Sequence, residues 1–173
     1  MIIAAAALYH YLLVAGAIAA PAWSLAAVWF GLGAIGIAAS IALGSARRAP
    51  PRSASVGNRV EGAIWNSAGA FFVIMALGIF LFANFTAPGW IDEPFLLFAV
   101  MPPLTFGVYA VAISASVAAQ EVRPLKPYVP LSLVFAAATV LLMGRPVQYL
   151  VFALGIVIVS ILPGLQLLRR QHG

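Results

Sequence analysis

The chain reads as an all-α, polytopic membrane protein of about six transmembrane helices arranged as three hairpins. Three observations carry that expectation. Hydrophobic residues make up 64% of the 173 positions and charged residues only 8%. Mean hydropathy is +1.08. A soluble domain is roughly 45–50% apolar, and a fold of this length could not hide the excess, so lipid must cover part of it. Finally, no interval between apolar runs is long enough for an extramembrane domain, so residues 1–173 form one integral-membrane unit.

The elements follow in order. A first helix is expected over residues 2–20, closed by Pro21, which lacks the N–H that a helix interior needs. No Lys or Arg precedes this run, as one would in a signal peptide, so it reads as a retained helix. The second helix covers 22–44, and the polar interval 45–58 carries Arg47, Arg48, Pro50, Pro51 and Arg52. The third covers 59–85, and a turn over 86–93 holds Pro88, Gly89, Asp92 and Glu93. The fourth, 94–119, contains Pro102-Pro103, which should free carbonyls and kink or break it. No matching break is expected in the other half of the chain, which favours shape over a binding site at this point. The fifth helix, 127–143, and the sixth, 147–168, turn at Gly144-Arg145-Pro146.

Two packing signals stand out. Phe30-Gly31-Leu32-Gly33 in the second helix resembles Phe152-Ala153-Leu154-Gly155 in the sixth. A duplicated hairpin would explain this, as would the general likeness of apolar helices. Stripes of small residues, Gly36, Ser40 and Gly44 on one helix and Ala110, Ser114 and Ala118 on another, mark faces for close helix contact.

Orientation follows from the cations. Arg47, Arg48, Arg52, Arg59, Arg123, Lys126, Arg169 and Arg170 fall on one side and only Arg145 on the other. The excess of Lys and Arg in cytoplasmic loops then puts both termini in the cytoplasm of a multi-pass cell-membrane protein. Arginine far outnumbers lysine in an alanine-rich chain, which suggests a bacterial inner membrane. Basic residues in short loops at helix ends report orientation, and no nucleic-acid partner is expected.

Composition also excludes chemistry. The absence of cysteine removes thiol redox, iron–sulfur and Cys-ligated zinc sites. Of two histidines, His172 lies in the tail, so bis-His haem ligation within one subunit is not expected. The four carboxylates sit in loops or at helix ends without clustered ligands, and no phosphate loop occurs. No cofactor and no catalytic residue is assigned.

The candidate polar or ligand-lining residues are His10, Tyr109, Thr105, Glu61, Trp65 and Asn66. Within a helix over 2–20, His10 would lie about 12 Å deep, near the midplane. Intramembrane ionisable groups usually face protein or a cavity, and Thr105 and Tyr109 at mid-helix could share a polar layer with it. The structural alternative is a neutral His bonded to a neighbouring helix. Glu61 fits a capping box with Asn58 as N-cap. Alternatively, Glu61, Trp65 and Asn66 line a cytoplasmic vestibule, with Trp65 more naturally an interfacial anchor.

Enzymatic activity is disfavoured because His10 has no acid at its depth. The reading is a non-enzymatic membrane protein, a subunit, assembly factor or regulator that acts through helix packing. Its partners would be the lipid bilayer and a second copy or another membrane protein. A transporter or channel for a small apolar or weakly polar solute is the alternative.

Overall fold

The computed structural model describes residues 2–21, 23–46, 56–86, 94–120 and 123–171. Every regular element among them is a helix. In chain order these are α1 (Ile2–Val14), α2 (Trp23–Ala46) and α3 (Val56–Leu81), which runs on into a π-helical turn over Phe82–Thr86. A 3-10 stretch, Pro94–Val100, leads into α4 (Met101–Gln120), and a 3-10 turn, Arg123–Leu125, precedes α5 (Tyr128–Leu141). The last rod is α6 (Val147–Ile156), a π-helical turn over Val157–Ile161, and α7 (Leu162–Gln171).

Among the described residues, three stretches are long and apolar enough to cross a membrane: Gly62–Leu81, Leu97–Ala119 and Val147–Gln166. Of the six spans expected from the sequence, these three are shown by length and composition. α1 and α5 have 13 and 14 residues, or about 20 Å each, against a hydrocarbon core of about 30 Å. The apolar helix Trp23–Ile35 within α2 is likewise a shorter one.

The first helix ends earlier than residue 20, and Pro21 is not what ends it. Gly16 has φ +73°, a conformation open to glycine because it has no Cβ. Its N–H donates to the Leu13 carbonyl at 3.1 Å, and Ala17 N–H donates to the Leu12 carbonyl at 2.9 Å. That reciprocal pair is a Schellman motif, with Gly16 just past the helix end, and it stops α1 at Val14.

Other boundaries are corrected by the same kind of accounting. α3 begins at Val56, so Asn58 already has helical backbone, which an N-cap lacks; the side chains of Asn58 and Glu61, on which the capping box depends, lie outside the described residues. Pro102-Pro103 stands where the 3-10 stretch Pro94–Val100 passes into α4, so the rod changes helix type at the pair, the break that two missing N–H groups impose. A second break does exist in the other half of the chain. The π-helical turn over Val157–Ile161 ends two residues before Pro163, whose missing N–H and bulky ring disturb the preceding turn.

Packing is uneven. α1 packs against α2 and α6, α5 against α4 and α6, and α3 against α4. α4 and α6 run in the same direction: Ala99 meets Gln148, 49 residues on, and Phe106 meets Gly155 at the same offset. The core is Ala7, Phe106, Ile113, Tyr128, Phe152, Ala153, Ile156 and Val159. Phe106 sits edge-to-face with Phe152 at 5.5 Å and tilted against Phe135 at 5.3 Å. A Cβ on Gly155 would strike the Phe106 ring and come within 2.8 Å of Phe135 Cδ1. Only glycine lets both rings close over α6 there.

Buried area marks the division. The α3 stretch is 11% buried, against 39% for Leu97–Ala119 and 44% for Val147–Gln166. Phe71, Val73, Ile74, Leu77, Leu81 and Phe85 of α3 and its π turn are all exposed. Of the expected stripe on α4, Ala110 is buried whereas Ser114 and Ala118 are exposed, so that stripe is not a single packing face. What the surfaces of Gly36, Ser40 and Gly44 meet lies outside the description.

Candidate functional site

The polar residues gather mainly at the end of the bundle where α1 meets α2 and α5 meets α6. His10 lies here, one turn before the end of α1. Its ring stacks on Tyr149 at 3.6 Å and 17°, and its Nδ1 accepts a hydrogen bond from Trp29 Nε1–H at 3.2 Å. Indole N–H can only donate, so Nδ1 is the unprotonated nitrogen and the ring is the neutral Nε2–H tautomer. Trp29 in turn stacks on Phe152 at 6.3 Å. Beside this group Tyr9 donates its hydroxyl proton to Ser24 Oγ at 2.8 Å, tying α1 to α2 a second time.

This placement changes the depth assigned to His10. Tyr149 is the third residue of α6, so the His10 ring lies only about 3 Å along the helix axis from the start of α6. The midplane estimate came from a first helix drawn six residues too long. The expected partners are also elsewhere. Thr105 is buried and gives its hydroxyl proton to the Met101 carbonyl of its own helix at 2.8 Å. Tyr109 pairs with the Ser160 side chain. The structure therefore assembles His10 with Trp29 and Tyr149, not with Thr105 and Tyr109.

A second centre was not singled out from the sequence. Gln148 is completely buried, and its Nε2 donates to the Ala99 carbonyl at 2.6 Å and the Thr139 carbonyl at 3.1 Å. Both acceptors are orphans for a stated reason. A helical partner for Ala99 would be residue 102 in 3-10 geometry or 103 in α geometry, and both are prolines without an N–H. Thr139 lies in the last turn of α5, where Met143 N–H, which would complete its α-helical bond, turns instead to Val140. One amide thus caps two helix ends on two different rods. Its Oε1 is left buried without a partner. The sequence signal was available: Pro-Pro strips two successive donors, so a neighbouring helix must supply one.

A third group joins two of the candidates. Trp65 of α3 meets Tyr109 of α4 edge-to-face at 5.6 Å, and through Tyr109 the contact reaches Ser160 in the π turn. Asn66, next to Trp65, is exposed. The Glu61 side chain lies outside the described residues, so the vestibule of Glu61, Trp65 and Asn66 is described only through Trp65 and Asn66.

The remaining buried hydroxyls are used locally. Ser116, Ser132 and Thr139 each donate to a carbonyl one turn back, at 2.8–2.9 Å. This habit of serine and threonine hides a hydroxyl in an apolar helix. Among the described residues no three of His, Cys, Asp and Glu come together as metal ligands. Comparison with protein-family models, with curated proteins and with solved structures finds no match.

Proposed function

We propose that the chain is a non-enzymatic integral membrane protein that crosses the bilayer six times with both termini cytoplasmic. In this reading it works through helix packing, as a subunit, assembly factor or regulator in a bacterial inner membrane. Two features of the described residues support the reading. Polar groups are spent on capping and interhelical bonds: Gln148 on two carbonyls, His10 on Trp29, Tyr9 on Ser24. Transport is the weaker reading because the carbonyl freed at the proline break of α4 is already capped by Gln148, whereas broken helices at transport sites turn freed groups toward a ligand.

The observation that carries the reading is the state of α3, a span only 11% buried within the chain. Helices in lipid gain little by hiding apolar side chains, and the described ring contacts of α3 with its neighbours are Trp65 against Tyr109 and Phe80 against Phe30. Its glycines Gly62, Gly69 and Gly78 have open space where a Cβ would stand, which leaves room for another helix to approach closely.

The test is a photo-crosslinking residue placed at Ile74 and at Leu77, 68% and 49% exposed, in native membranes. A discrete protein adduct at both positions is expected, with none from a probe at the buried Ile156. Lipid adducts alone at Ile74 and Leu77 would remove the packing function. Topology reporters after residues 55 and 173 should both read cytoplasmic, and a periplasmic signal at either breaks the six-span arrangement.

A further inference from the structure

His10 and Tyr149 leave two polar atoms open at one end of the bundle. Trp29 Nε1–H donates to His10 Nδ1 at 3.2 Å, so the imidazole proton is on Nε2. A nitrogen in that state donates a hydrogen bond and has no lone pair to give a metal. The His10 ring is half-buried and stacks on Tyr149 at 3.6 Å and 17°. Among the described residues neither His10 Nε2–H nor the Tyr149 hydroxyl has a hydrogen-bond partner. The buried side-chain atom without a partner is Gln148 Oε1, so these two atoms reach the surface of the bundle. Tyr149 is otherwise buried, at 8% exposure. Tyr9, beside them, is not a third donor, because its proton goes to Ser24.

Depth selects what the two donors meet. The apolar stretch Val147–Gln166 has 20 residues, about 30 Å of helix, which equals the thickness of the hydrocarbon core. Its first residue therefore stands at the boundary between acyl chains and headgroups, and Tyr149 is about 3 Å further in. Tyrosine favours this boundary. The glycerol ester carbonyls of phospholipids lie at the same level. They are acceptors only, and each diacyl lipid carries two. An N–H or O–H turned toward acyl chains costs free energy until it finds an acceptor. The ring stack holds His10 and Tyr149 side by side, one donor for each ester.

We propose that His10 and Tyr149 bind the glycerol ester carbonyls of a phospholipid in the leaflet at the α1–α2 end of the bundle. The inference rests on the multi-pass membrane reading above, which makes that leaflet the periplasmic one. Trp29 is the positioning residue, since its indole fixes the tautomer that turns a proton, and not a lone pair, out of the bundle. The recognition is uncharged. It selects the ester linkage and is indifferent to salt, which screens only charges.

The experiment uses the full chain, delipidated in a neutral detergent. Phosphatidylcholine with ester-linked chains and its ether-linked analogue of equal chain length are titrated, and bound lipid is counted by native mass spectrometry. A hydrogen bond in a bilayer is worth about threefold in affinity. The ester lipid should therefore bind about tenfold more tightly through two such bonds, with or without added salt. Tyr149→Phe, which keeps the ring stack, should cut that preference about threefold, as should His10→Phe, and the double variant should lose it. Tyr9→Phe, which breaks a tie at the same end, should leave it unchanged. In the unaltered protein the Nε2 nitrogen and proton shifts of His10 should move with the ester lipid and stay with the ether lipid. Equal binding of the two lipids, an unmoved Nε2 signal, or an equal loss in Tyr9→Phe would overturn the proposal. Displacement of the ester lipid by an equal concentration of a short-chain quinone would assign the donors to quinone carbonyls and also overturn it. Extraction of the chain from vesicles by alkaline carbonate would sink the membrane reading. Retention in vesicles without an ester preference would sink this inference alone.

Discussion

α2 and α6 carry nearly the same four residues and place them in opposite environments. Phe30 is 47% exposed and Phe152 is 3% exposed. Gly31 and Gly33 have nothing within 4 Å of a built Cβ, whereas Gly155 lies against Phe106 and Phe135. The two segments are equally apolar, so hydrophobicity cannot be what sorts them. In lipid a phenylalanine loses little by facing outward, and the inside is decided by which small residue meets which ring across the interface. Phe106 supplies that ring for α6. Among the described residues, Phe30 makes an edge contact with Phe80 at 6.0 Å.

The sharpest way to break this comparison is to truncate the two phenylalanines. Phe152→Ala should cost about 3–5 kcal/mol, as aromatic deletions in cores do. Phe30→Ala should cost only the aromatic pair, about 0.5–1.5 kcal/mol. Unfolding by dodecyl sulfate in mixed micelles measures both. Equal losses would mean that the two helices are held alike.

Gln148→Leu comes next. It leaves the Ala99 and Thr139 carbonyls without a donor, at about 1–3 kcal/mol each, offset in part because the buried Oε1 also disappears. Amide exchange should speed up at the end of α5 and the start of α4 together. Acceleration at only one of them would show that the amide does not couple the two rods.

Gly155→Val should cost about 1–3 kcal/mol through overpacking against two rings. Gly33→Val should stay within about 0.5 kcal/mol, as surface changes usually do. A loss at Gly33 as large as at Gly155 would place an unseen neighbour on α2. The smallest expected effect is at Trp29→Phe, about 0.6 kcal/mol for one interhelical hydrogen bond. Its signature is spectroscopic: the nitrogen shifts of His10 should move from one tautomer toward a mixture.

The helical rods, and among the described residues three apolar stretches long enough to cross a membrane, were legible because charge and proline punctuate an otherwise apolar chain. Gly144-Arg145-Pro146 falls between rods where a turn was expected, and Pro88 lies outside the described residues. The end of α1 was missed because Gly16 ends it inside an unbroken apolar run, where alanine and isoleucine on both sides carry no stop signal. The depth assigned to His10 descends from those six residues, whereas its partners are set by the packing of α1 on α2 and α6. Gln148 was missed for a different reason. A single glutamine beside a turn resembles a loop residue, and its task appears only when the donors lost at Pro102-Pro103 are counted. Trp65 and Tyr109 were both singled out, yet their mutual contact is a fact of register between α3 and α4, which periodicity does not carry.

The 49-residue separation of Ala99 and Gln148 also sets an order of events during synthesis. At about 5–20 residues per second, α4 waits roughly 2–10 s before the donor for its first turn exists. Until then the nascent chain holds an unsatisfied carbonyl in an apolar setting, and α5 ends with another. A ribosome that stops between these positions therefore leaves a membrane intermediate whose defect is a missing hydrogen-bond donor. A chain truncated after Gly144 should turn over faster in cells than one truncated after Gly155, since only the longer chain brings its own cap.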